Sequence, residues 1–163
     1  MSGELLLIII LTLPLLLGVI FKASASHIFF GVMAGELLGR YFGHDIDGMF
    51  TGQLDQPALA GYGETLLIVL PMVLTAYFMR RSIKPHKLMF HIWPLAATGI
   101  ILAAFVLPVL PPEIQTAATE HPVGDWLLHI NRAIVGGVII LQLLSLWIFT
   151  RDKERRRKAK EKP

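Results

Sequence analysis

Long apolar runs separated by short polar segments dominate the chain. The first, ELLLIIILTLPLLLGVIF, and four later runs each approach the roughly 20 residues that a helix needs to cross a bilayer. The pattern predicts helices at about 4–21, 26–43, 64–81, 88–109 and 126–149. The expected fold class is all-α: a polytopic integral membrane bundle of five transmembrane helices over residues 1–150, with a basic cytoplasmic tail at 151–163. A four-span alternative makes the second run re-entrant.

Charge placement discriminates between the two. MRRSIKPHK, after the third run, holds Arg80, Arg81, Lys84 and Lys87 without an acid. RDKERRRKAKEKP, after the fifth, has eight basic residues against three acids. Basic loops stay on the cytoplasmic side, so the two segments share it, and helices four and five supply the even number of crossings between them. Lys22 then falls inside and the N-terminus outside. This N-out/C-in topology puts thirteen of the fifteen Lys and Arg inside. Residues 44–64 and 111–125, on the outer side, carry acids and no Lys or Arg. The aromatic residues agree. Tyr41, Tyr62 and Trp126 lie near outer helix ends, and Tyr77, Trp93 and Trp147 near inner ends, the levels at which amphipathic rings settle. Residues 44–63, rich in Gly and Asp, are expected to form an outer loop, and Pro111–Pro112 to stop the fourth helix.

Composition narrows the class further. The 163 residues suffice for one domain, 54% of them are hydrophobic, and the mean hydropathy of +0.61 exceeds that of a usual soluble domain. With no cysteine, disulfides, thiolate metal sites and a cysteine nucleophile are excluded. The net charge of +3 comes mostly from the tail. Nucleic acid is therefore not an expected partner; the lipid bilayer is, with anionic lipid headgroups at the tail. MSGELLLIII lacks the basic region that opens a secretory signal, which makes the first run a mature helix. The expected location is a bacterial inner (plasma) membrane.

The candidate chemistry is concentrated in the second run, HIFFGVMAGELLGRYFG, where Gly31, Gly35, Gly39 and Gly43 recur at every fourth position. Each step drifts by about 40° around the helix, so the row forms a nearly continuous bare groove for backbone-close packing. Three occupants suit it: another helix of this chain, a further copy or other membrane subunit, or a lipid or cofactor in close approach. Glu36 and Arg40 stand about 100° from the groove, at i,i+4 spacing with the acid first. They read as an intrahelical ion pair or, with Glu36 the deeper group, as part of an ion or proton pathway. His129 and Arg132, with Asp125 at the start of the fifth run, form a polar cluster that joins the same pathway candidates.

His27 and His91 begin the second and fourth helices on the inner side. Two imidazoles at one level on facing helices suit haem b, which sets a haem- or quinone-bearing role against the plainer expectation of no cofactor. No metal site, Walker A loop, nucleophile elbow or zincin helix appears, so no enzyme is expected.

LLLGVIFKASASHIFFGVMAGELLGRYF, with the basic end of the third run, resembles small bacterial membrane proteins of the colicin V production family. The likeness covers less than half the chain. The fifth span, and Lys22 where glycine is expected, depart from it, and no function is carried over. The function expected from the residues is a channel or transport-related subunit in a homo- or hetero-oligomeric membrane assembly. The alternatives are a non-catalytic scaffold or accessory subunit, and a redox subunit.

Overall fold

The structure, a computed structural model, describes residues 3–54, 61–82, 88–129, 135–144 and 147. Every regular element among them is helical. The helices are α1 (Gly3–Phe21), α2 (Ala25–Leu54), α3 (Tyr62–Phe78), α4 (Leu88–Val106), α5 (Pro112–Thr119), α6 (Pro122–Leu128) and α7 (Val135–Leu144). The chain divides into two compact units, Met1–Ile130 and Asn131–Pro163. The first contains α1 to α6; α7 belongs to the second. Residues 130–134, with Arg132, and the tail 151–163 lie outside the described residues.

In the first unit α2 packs along α3 and α1 along α4, while α4 also touches α2. The register of α1 on α4 is antiparallel: Gly18 meets Leu95, and Gly99 meets Leu11. Ile28, Val32, Ile68, Met72, Leu95 and Leu102 fill the core. Short α5 and α6 cover the N-terminal end of α1, where Gly124 lies against Leu7 and against the carbonyl of Ala118.

Several boundaries differ from the sequence expectation. The second helix does not end at 43; it runs to Leu54, through much of the expected loop 44–63. Adding a residue to an existing helix is far easier than nucleating one, and no proline interrupts the chain until Pro57. The fourth helix stops at Val106, before Pro108 rather than at Pro111–Pro112. A proline disfavours helical geometry in the residue before it, and here Leu107, just before Pro108, still donates its N–H to Ala103 O at 2.9 Å. Pro111–Pro112 starts a helix instead: Pro112 occupies the first position of α5, where its missing N–H costs nothing. Of the fifth run, expected at 126–149, the described residues give the end of α6 and, in the second unit, α7. The run's first residues belong to α6, which His121 caps by accepting the Val123 N–H on Nδ1 and which ends at Leu128.

Two turns close one end of the bundle. Lys22 follows α1 in the left-handed region, at φ 52°, and the Ala23 N–H returns to Gly18 O at 3.2 Å. This is the helix stop that glycine usually makes. Arg81, after α3, is also left-handed at φ 63°, and its N–H donates to Phe21 O at 2.8 Å. Ser82 Oγ accepts the Ser24 N–H at 2.9 Å. The end of α3 is thereby tied to the α1–α2 turn. A non-glycine residue in this region costs about 1–2 kcal/mol, which these cross-turn bonds offset.

The faces turned away from the core are apolar. Leu5, Ile9 and Leu16 on α1, Phe30, Leu37 and Tyr41 on α2, and Leu66, Leu70 and Leu74 on α3 are all exposed at helical spacing. Glu4–Phe21 is long and apolar enough to cross a membrane; Tyr62–Phe78, His91–Val106 and Val135–Leu144 are apolar but shorter.

Candidate functional site

The glycine row of α2 lies against α3. At Gly35 a β-carbon would strike the Ile68 carbonyl, and at Gly31 it would sit 2.8 Å from Met72 Cα. Both obstacles are backbone, so a methyl at either position forces the helices apart. Further along, the neighbours are side chains: Ile68 Cγ1 at 3.2 Å from the Gly39 position and Glu64 Cγ at 2.8 Å from the Gly43 position. Pro71 shapes the tight half. Its carbonyl faces Gly31 and accepts the Thr75 hydroxyl at 2.7 Å. The groove is thus filled from within the chain. Glu64, in the first turn of α3, packs over Gly43 and belongs to the neighbourhood of the site. Sequence reasoning treated it only as an outer acid; its four-residue phase with Ile68 and Met72 was the available signal.

Glu36 and Arg40 sit one residue round from the row. Arg40 Nε donates to Glu36 Oε1 at 2.6 Å, a short charge-assisted bond. The two ends differ in setting: the Arg40 side chain is 70% exposed and that of Glu36 13%. Glu36 stands eleven residues beyond Ala25, about 16 Å along the axis. The pair fixes one charge in a poorly hydrated position and presents the other at the edge of an apolar face, beside Leu37 and Tyr41.

The remaining candidates are dispersed. His129 caps the end of α6, 3.3 Å from Asp125 Oδ1, with both side chains largely exposed. Its ring Nδ1 lies 2.9 Å from the Asp125 carbonyl. Arg132 is outside the described residues. His27 and His91 lie in the first turns of α2 and α4, at the end of the bundle where α1 finishes. His91 is buried; His27 is half-buried, with Nδ1 shielded and no hydrogen-bond partner. Among the described residues no three His, Cys, Asp or Glu gather as a metal site. No family model matches the chain, that of the colicin V production proteins included, and no significant likeness links it to a characterised protein or a solved structure.

Proposed function

We propose that the chain is a polytopic integral membrane protein, N-out and C-in, that acts as a channel or transport-related subunit with Glu36 in its pathway. The membrane part of this reading is supported by the apolar outer faces of α1, α2 and α3. Only 22% of the Glu4–Phe21 window is buried, whereas the core helix of a soluble protein is mostly buried. The same helix is keyed to α4 through Gly18 and Gly99, which favours a permanent member of the bundle over a removable signal. Threonine hydroxyls on these helices bond back to their own backbone, as Thr12 does to Ile8 O at 2.7 Å and Thr75 to Pro71 O at 2.7 Å, which satisfies those donors without water. The end with Lys22, Arg80 and Arg81 suits the cytoplasmic side, and the end with Glu113, Glu120 and Asp125 the outer one.

The observation that carries the transport reading is the Glu36–Arg40 pair. Ionisable groups at the depth of a bilayer are costly and mark pathways. The test is flux in proteoliposomes of purified protein. Wild type is expected to pass protons or monovalent cations, and Glu36→Gln to lower the flux at least tenfold with unchanged incorporation. Flux no greater than that of empty liposomes, or an unaffected Glu36→Gln variant, overturns it.

A second reading, a scaffold subunit in a larger assembly, is favoured by the exposed face of Leu37, Arg40 and Tyr41. That face offers a partner helix apolar contact together with an ion-pairing group. Co-purification of a stoichiometric membrane partner without flux supports it. The unpartnered Nδ1 of His27 keeps a haem-bearing role in view, and a Soret band in purified protein would establish that role.

A further inference from the structure

The two turns at the basic end hold cations where the backbone favours glycine. Lys22 and Arg81 both have left-handed φ, 52° and 63°. Glycine adopts this conformation without strain, and asparagine nearly so. A lysine and an arginine stand there instead. Arg80 lies between them and α3, its guanidinium 5.2 Å from the Tyr77 ring centre, and Tyr77 in turn meets Phe21 edge-on at 6.1 Å. None of the three cations meets a carboxylate among the described residues. All three are exposed.

The platform beneath them is stiff. The Arg81 N–H bond to Phe21 O and the Ser24 N–H bond to Ser82 Oγ join the two turns. The backbones that carry the three cations are therefore tied to one another rather than lying on a loose loop. Directly beside the cluster the surface is apolar: Ile20 is 66% exposed and Phe78 73%. Trp93, on the second turn of α4 at the same end of the bundle, is 83% exposed. A ligand that matches both parts carries a phosphate and a hydrocarbon chain. An arginine held over an aromatic ring keeps its in-plane N–H groups free for phosphate oxygens.

We propose that the paired turns 21–24 and 79–82 form a binding site for the headgroup of an anionic phospholipid, with Lys22, Arg80 and Arg81 on the phosphate and Ile20 and Phe78 along the acyl chains. Every residue of the site belongs to the first unit. The site rests on the membrane reading above, since a lipid reaches these turns only if the adjoining faces lie in a bilayer.

The test uses the full chain in nanodiscs of phosphatidylcholine with and without phosphatidylglycerol, and native mass spectrometry to count retained lipid. Wild type is expected to retain phosphatidylglycerol over phosphatidylcholine by at least tenfold. The variant Lys22→Asn/Arg80→Gln/Arg81→Asn is expected to lose at least fivefold of that preference. Its thermal midpoint should be equal or higher, because asparagine suits the left-handed positions and the cross-turn bonds use backbone and serine groups. A tail variant, Arg155→Gln/Arg156→Gln/Arg157→Gln, is expected to keep the preference. An unchanged preference in the turn variant, or its loss in the tail variant alone, overturns the site. Displacement of the lipid by millimolar inorganic phosphate also overturns it, by making the ligand a free anion. Release of wild type from phosphatidylcholine vesicles by an alkaline wash sinks the membrane reading itself. Stable insertion without lipid preference sinks the site alone.

Discussion

The two long helix pairs of the first unit solve the same packing problem differently. In α2–α3 the glycine row Gly31, Gly35, Gly39 and Gly43 lies on α2 alone, and its four successive turns lie against the partner. In α1–α4 the contact is reciprocal: Gly99 of α4 admits the Leu11 carbonyl, and Gly18 of α1 admits the Leu95 side chain, Leu95 Cδ1 standing 2.5 Å from where a β-carbon would be. One seam is a groove and the other a pair of single notches. A groove tolerates small slides along its length, whereas two notches on opposite helices fix the register. The comparison also shows that glycine is indispensable where the opposing atom is a carbonyl and replaceable where it is a flexible side chain.

Substitutions can break or sharpen that contrast. The largest effect belongs to Gly35→Leu, which should leave no folded species in detergent by circular dichroism and size exclusion, because the Ile68 backbone cannot withdraw. Gly35→Ala and Gly99→Ala should each destabilise by about 3 kcal/mol in reversible unfolding, the upper end of ordinary overpacking. If the seams are independent, the double variant should add within about 0.5 kcal/mol; a larger departure would make them one coupled unit. Gly18→Ala should cost about 1 kcal/mol, since Leu95 can change rotamer to make room. Gly39→Ala should fall within about 0.5 kcal/mol of wild type, the helix-propensity gain of alanine offsetting a small shift of Ile68. A cost at Gly39 matching that at Gly35 would show that the seam cannot breathe even where only side chains meet.

These differences bear on what a sequence can and cannot reveal. Apolar runs make the helices visible because burial or lipid contact requires them. The end of α2 was hidden because glycines at 43, 48 and 52 look like a loop yet do not stop a helix already under way. The glycine row is conspicuous as a repeat; its partner is not, because Ile68 and Met72 resemble every other apolar residue of α3. Gly18 and Gly99 are isolated in sequence and become a pair only through the antiparallel register of α1 on α4. The spacing of Glu36 and Arg40 implies their contact, but the contrast in exposure depends on how the row turns α2 towards α3. The left-handed Lys22 and Arg81 had no local signature at all, since bonds between turns nearly sixty residues apart hold them.

The thirty residues of α2 make a rod of about 45 Å. On the proposed membrane reading about 30 Å of that length would lie among acyl chains, and some three turns would project beyond them. The rod would then act as a depth gauge. In a thinner membrane more of it would emerge and Arg40 would reach hydrated headgroups; in a thicker one both partners of the ion pair would be drawn under. Such adjustments cost only fractions of a kcal/mol per ångström, so host-lipid chain length becomes a dial on how wet the Glu36 carboxylate is.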